Sequence, residues 1–241
     1  MVGARLTFVR TVWLASRTGQ AECGRSATIA TLGTGMTVFS PVRLHDGSFV
    51  VGGLFPEARL AFLDSMGEVK RYAGAFPATE LTVPPSVLQH AYQATVVVRP
   101  DETRIAVLSR HSSLLELFDI RGTLIRREDG PLPVKPVFTV RKAAEGAMFA
   151  SGDSLRFGYV AAAADQDHVY ALFSGRARFE APGRANLGDR IHMFDWEGRF
   201  VAEYRLNGEA LNLAIDPSRR IIYVAHLEPT PSITAYTLPG Q

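Results

Sequence analysis

Cysteine is nearly absent: Cys23 stands alone among 241 residues, so no intrachain disulfide can form and the redox compartment stays undetermined. An excess of charge is missing too. The 26 basic residues against 24 acidic ones leave a net +2, too balanced for a protein whose affinity rests on neutralising phosphates, which argues against nucleic acid as a partner. No segment reaches the ~18 apolar residues of a membrane span. The apolar start Leu6–Ala15 is interrupted by Arg10, and Ala21-Glu22 stands where a lipoprotein cleavage site needs small residues, so no signal peptide is read.

Signatures of catalysis and cofactor binding are equally thin. The six histidines, at 45, 90, 111, 168, 192 and 226, include no pair at metal-ligand spacing. Gly33-Thr34-Gly35 lacks the third glycine and the following helix of a dinucleotide fingerprint. Gly152-Asp153-Ser154-Leu155 matches the GDSL hydrolase signature, but its Asp-x-x-His counterpart, Asp165-Gln-Asp167-His168, follows too closely for that family. A tight turn explains Ser154 better. No metal or cofactor is expected.

A repeat is what the chain does have. It reads Ala58-Arg-Leu-Ala-Phe-Leu-Asp64-Ser-Met-Gly67, Ser113-Leu-Leu-Glu-Leu-Phe-Asp119-Ile-Arg-Gly122 and Asp189-Arg-Ile-His-Met-Phe-Asp195-Trp-Glu-Gly198, with a degraded copy at Ser232-Ile-Thr-Ala-Tyr236-Thr-Leu-Pro-Gly240. Alternating apolar residues followed by an Asp-x-x-Gly turn describe a hairpin, and a recurring hairpin describes propeller blades. Upstream of each copy lies a second pairing signal. Val42–Val51, Val96–Leu108, Val160–Leu172 and Leu213–Val224 each hold an apolar strand, an Asp-containing turn and a second strand. The fold class is therefore all-β: a β-propeller of four-stranded antiparallel blades, five to six in number, with a shortened first blade. A ragged segment, 1–39, holds strand-like runs at Leu6–Ala15 and Ala27–Leu32 that supply a first blade or closing strands. Blades occupy 40–241, and the last ends after its third strand, at Leu238, leaving its outer strand to the amino-terminal segment. Asp64 to Asp119 is 55 residues, Asp119 to Asp195 is 76 and Phe194 to Tyr236 is 42, so long loops or an irregular blade between 130 and 158 separate the regular units. Phe62, Phe118, Phe194 and Trp196 are assigned to the core between sheets. The Asp-x-x-Gly carboxylates are assigned to their own turn backbone rather than to calcium.

Arg156-Phe-Gly158-Tyr159, Val169–Gly175, Ile191-His192-Met-Phe194-Asp195-Trp196-Glu-Gly198, Ile221-Ile-Tyr223 and Ile233-Thr-Ala-Tyr236 resemble, in order and spacing, the TolB-like six-bladed propeller family. The resemblance is densest over Phe157–Leu238 and extends faintly back to about Met36. Its members are mostly bacterial and often predicted lipoproteins, which implies an extracytoplasmic or cell-envelope location. They usually begin further upstream, so the chain is expected to be a fragment, a mis-started reading frame or a shortened variant. The family has no settled biochemical activity, so the resemblance speaks to fold rather than chemistry.

Loop lengths separate the two rims of such a propeller. First-to-second and third-to-fourth strand turns are tight, whereas the second-to-third and blade-to-blade connections are long, and long loops on a rigid scaffold are where binding resides. On that rim Lys135, Arg141, Lys142, Arg156, Arg110, Arg176, Arg178 and Arg184 face Glu57, Glu80, Glu145, Asp153, Glu180 and Glu228. Arg176, Arg178 and Arg184, spaced by small residues and proline, suit a carboxylate clamp. His90, His111 and His226 lie on the same rim and are candidates to converge on the channel. Arg110, His111, Arg176, Arg178, Arg184, His226, Glu228 and His90 are thus the binding candidates. The function that follows is a non-enzymatic scaffold for a protein, peptide or glycan; the alternative is a metal-assisted lactonase or hydrolase working in the central channel. A third reading is a structural remnant without activity of its own. Carboxylates or histidines from three or more blades meeting at one spot would favour the enzyme.

Overall fold

The computed structural model describes residues 37–55, 57–79, 83–136, 152–227 and 229–239, together with the backbone of 5–9, 27–31, 139–143 and 146–150. Cys23, Gly33-Thr34-Gly35 and Glu228 lie outside the described residues.

β-branched and aromatic runs bounded by Asp and Gly form strands throughout. The first sheet contains β1 (Arg5–Val9) and β2 (Ala27–Thr31), paired with each other. Blade 1 follows as β3 (Thr37–Arg43), β4 (Phe49–Phe55), β5 (Ala58–Leu63) and β6 (Val69–Ala73). A short helix, α1 (Pro85–Ala91), leads into blade 2, made of β7 (Ala94–Val98), β8 (Arg104–Ser109), β9 (Leu114–Asp119) and β10 (Leu124–Asp129). The pair β11 (Thr139–Ala143) and β12 (Gly146–Ala150) precedes blade 3, made of β13 (Tyr159–Ala164), β14 (His168–Phe173), β15 (Gly188–Asp195) and β16 (Phe200–Ala210). Blade 4 has three strands, β17 (Asn212–Asp216), β18 (Ile221–His226) and β19 (Ser232–Thr237). Every pairing is antiparallel and joins sequence neighbours, the meander that the paired motifs require. No described strand pairs with the outer edge of β19, and β1 pairs with β2.

Inner strands pack side by side in the order β3, β7, β13, β17. The cores between successive blades are apolar. Phe62 and Val50 of blade 1 meet Val96, Ile105, Val107 and Phe118 of blade 2. Ala106, Leu108 and Leu115 meet Val169, Phe173, Phe194 and Trp196 of blade 3, and Tyr170, Ile191 and Met193 meet Leu213, Ile222 and Val224 of blade 4. Each large side chain buried in this way contributes roughly 1.5–3 kcal/mol. Phe62, Phe118, Phe194 and Trp196 are all buried, as core residues between sheets should be.

One polar element interrupts the apolar seam between blades 1 and 2. Arg59, in the fully buried β5, donates through Nε to Glu116 Oε2 at 2.7 Å and through a terminal nitrogen to Ser109 Oγ at 2.9 Å, with the Tyr92 carbonyl as a further acceptor. Arg127 takes the other Glu116 oxygen at 2.7 Å. Arg59 and Glu116 thereby pair away from water across the two blades, with the solvent-exposed Arg127 closing the cluster from outside, which fixes how the blades meet more than it adds net stability.

Two stretches differ from their reading as loops. Residues 76–92 hold α1, whose Pro85 occupies the first turn, where its missing N–H costs nothing, and whose Val87 and Ala91 are buried. Within 130–158 lies the two-stranded β11–β12 rather than a full blade.

Candidate functional site

The rim of tight turns is closed on itself by its carboxylates. Asp64 Oδ1 accepts from the backbone N–H of Met66 and Glu68, Asp119 Oδ1 from those of Arg121 and Thr123, and Asp195 Oδ1 from those of Glu197 and Arg199, all at 2.8–3.0 Å. Gly67, Gly122 and Gly198 complete these turns at φ of 89°, 82° and 84°. Asp46, Asp101, Asp165 and Asp216 do the same in the first-to-second turns. These aspartates serve the backbone, each in its own blade. Ser154 is exposed in a turn before β13, while Asp165 and His168 flank the far end of that strand, some ~20 Å away at the usual strand rise, so they do not form a hydrolase triad.

The opposite rim carries the binding candidates, which fall into separate groups. Arg176 binds Asp189 at 2.9 Å and also Glu209, and Arg184 binds Glu209 at 2.6 Å. The chain's own carboxylates thus occupy two arms of the arginine-rich loop. His226, buried, has its Nδ1 2.9 Å from the Glu209 carbonyl. Arg156 is held by Glu180, with one contact at 2.8 Å. His90 sits in the last turn of α1. The remaining candidates gather around Phe157: Arg110 lies 5.5 Å and Arg178 6.0 Å from its ring centroid, and the His111 ring 5.1 Å. Burial, together with the Arg110 and Arg178 charges, lowers the His111 pKa to about 4, so the imidazole is neutral at physiological pH.

Backbone geometry builds this corner. The Arg110 N–H donates to the Gln93 carbonyl at 2.7 Å and the Gly158 N–H to the Arg110 carbonyl at 2.8 Å, tying the β8–β9 turn to the starts of two inner strands. Gly158 is required: a Cβ there would stand 1.8 Å from the Ser112 carbonyl oxygen.

Behind Arg110 opens a cavity of about 760 Å³, lined by all four inner strands: Phe39, Ser40 and Pro41 in the middle of β3, Gln93–Val96 at β7, Val160–Ala162 of β13, and Leu211 and Asn212 at β17. This is the central channel. None of the histidines lines it. Ser40 adopts φ 46° within a bulge where the β3–β4 register shifts between Phe39 and Val42, a strained backbone for a non-glycine residue and a device that re-aims side chains.

Sheets of this order around a channel match a known family. The profile of the TolB-like 6-blade propeller-like family covers residues 13–217. The chain belongs to that family. The match reaches further into the amino terminus than the motifs alone do, and stops before the degraded last hairpin. This TolB-like chain shows four blades among its described residues beside the six of the family's description. Its architecture is also similar to solved structures: Raptor of Chaetomium thermophilum (TM-score 0.53, 13% identity, 88% of this chain and 16% of that one) and the hydrazine synthase of Kuenenia stuttgartiensis (0.51, 12%, 86% and 47%). The computationally designed Ika4 protein is similar at a TM-score of 0.50 and 8% identity, over 86% of this chain and 94% of that one. The chain therefore spans a minor part of Raptor and under half of the hydrazine synthase, and at these identities the likeness shows the fold alone. No curated protein matches in sequence.

Among the described residues of the TolB-like chain, no three His, Cys, Asp or Glu side chains converge as a metal site needs, and no helix is long and apolar enough to cross a membrane. His192, wholly buried in β15, stacks on Phe173 at 4.6 Å between the Tyr159 hydroxyl (3.2 Å from Nδ1) and Glu203 (3.3 Å from Nε2). Burial lowers its pKa, with Glu203 opposing, and its place inside a blade makes it part of the core. Gln93, Asn212 and the Ser40 bulge were not singled out in the sequence. The Pro41 next to Ser40, inside an apolar run, is the one local sign of that bulge.

Proposed function

We propose that this propeller is a scaffold that binds a protein, peptide or glycan through its loop-rich rim. The observation that carries the reading is the asymmetry of the rims. Seven aspartates close one with backbone hydrogen bonds, whereas the other presents Arg110 and Arg178 over the buried Phe157 ring, with Arg110 at the edge of an open channel. Arginine with aromatic neighbours is the composition that dominates interface energetics. Arg176 and Arg184 belong to the long loop between the second and third strands of blade 3, His226 to the end of β18 and His90 to α1, all on the same rim as this patch.

Peptide and glycan arrays probed with purified protein test the reading. The wild type and a Glu197→Lys variant, altered on the tight-turn rim, should bind the same members, and an Arg178→Glu variant should lose them. Loss in Glu197→Lys with retention in Arg178→Glu would place binding on the wrong rim.

A further inference from the structure

Among the arginines of the loop-rich rim, Arg110 is set apart by what does not meet it. Arg156, Arg176 and Arg184 each hold a carboxylate of this chain, and inside the blades Arg59 and Arg127 share Glu116. Among the described residues no carboxylate lies within ion-pair distance of the half-buried Arg110 guanidinium, which lies over the Phe157 ring at 5.5 Å. Desolvation of this group holds its pKa below the ordinary arginine value, the sign of a cation whose lost hydration has not been offset by an anion. Its backbone is fixed on both sides, through Gln93 and Gly158, so the side chain cannot leave the cavity edge by a loop shift without breaking both bonds.

The cavity beside it has the dimensions and lining of a small-molecule site. Its volume of about 760 Å³ falls in the usual range for such sites, ~300–1,000 Å³. Apolar walls from Phe39, Val96 and Val160 alternate with polar groups from Gln93, Thr95 and Asn212. The Asn212 Oδ1 is already engaged by the Leu213 N–H at 2.8 Å, which leaves its amide NH2 for another acceptor. The strained Ser40 bulge lies in the same wall, where backbone strain is characteristic of a site rather than of a plain strand.

We propose that the channel end at Arg110 binds a small organic carboxylate, its oxyanion taken by the Arg110 guanidinium and the rest of the molecule lying between the Gln93 and Asn212 amides. A planar guanidinium offers the paired donors that a carboxylate accepts from two oxygens at once. This pocket lies within the channel, so it stands or falls apart from macromolecular binding on the rim.

Calorimetric titration of the whole chain with citrate, malate, glutarate and glucuronate, with inorganic phosphate and with glutaramide as the uncharged counterpart, tests it. At least one organic carboxylate should bind while glutaramide and phosphate do not. Arg110→Gln should weaken that binding by about tenfold or more, with a thermal midpoint no lower than the wild type because an unpaired cation has been removed. Asn212→Asp, which faces the ligand with a like charge and leaves Arg110 intact, should also weaken it. Failure of every carboxylate to bind, binding of phosphate alone, equal binding of glutaramide, or unchanged affinity in Asn212→Asp would each overturn the proposal.

Discussion

Glu116 has no solvent exposure and carries two guanidinium groups, so its removal leaves the buried Arg59 without a counter-charge, with only the Ser109 hydroxyl and the Tyr92 carbonyl as acceptors. Glu116→Gln should cost about 3–5 kcal/mol in urea denaturation, the usual penalty for breaking a buried pair; a midpoint within error of the wild type would contradict the pairing. His111 adds a pH dependence. The unfolded chain takes up its proton below about 6.5, whereas the folded protein does so only below about 4, so unfolding is favoured increasingly as pH falls through that window. Stability measured from pH 7 to pH 4 should drop more in the wild type than in His111→Phe, and parallel profiles would show that His111 is not held neutral. Contacts with local partners were legible at this scale, because an aspartate finds its own turn N–H two and four residues on. Those reaching across the fold were not. Arg59 and Glu116 are 57 residues apart, and the apparent clamp of Arg176 and Arg184 is engaged by Glu209, 33 and 25 residues further on.

The Asp-x-x-Gly hairpin turn is the element on which the reading of the chain rested, and its geometry explains both of its fixed residues. Asp119 accepts two turn N–H groups, and Gly122 has φ 82° with a Cβ position 2.5 Å from the Ala73 Cβ of the neighbouring blade. Asp119→Ala should cost about 1–2 kcal/mol through the lost cap. Gly122→Ala should cost more, since it adds a steric conflict between blades to the backbone strain, and a smaller effect in thermal or urea unfolding would contradict that contact. Elements with repeated, period-two patterns were thus readable, down to which aromatic residues are buried. Helix α1 was not, because seven residues carry only one buried i, i+4 pair, Val87 and Ala91, too little periodicity to separate a helix from a loop. For the same reason β11–β12, without an Asp-x-x-Gly turn, could be placed only as an irregular stretch.

At the level of the whole molecule, the uneven repeat spacing resolves into uneven connections on one rim. The longer intervals take up α1 and then β11–β12 with the loop 175–187, while blades 3 and 4 are joined through Leu211 alone. Length is added on the side where the inner strands begin, and the channel opens there, beside Arg110. The repeat made the blades and the long rim legible. The channel lining could not be read, since it is assembled from four short segments that meet only once the blades pack side by side. These blades face one common cavity, which cysteines at Thr95 of blade 2 and Asn212 of blade 4 test in a Cys23→Ser background. A flexible bis-maleimide should join Thr95→Cys to Asn212→Cys within one folded molecule and fail to do so when either cysteine is moved to Glu197 on the other rim; intermolecular products alone from the Thr95/Asn212 pair would contradict the shared channel.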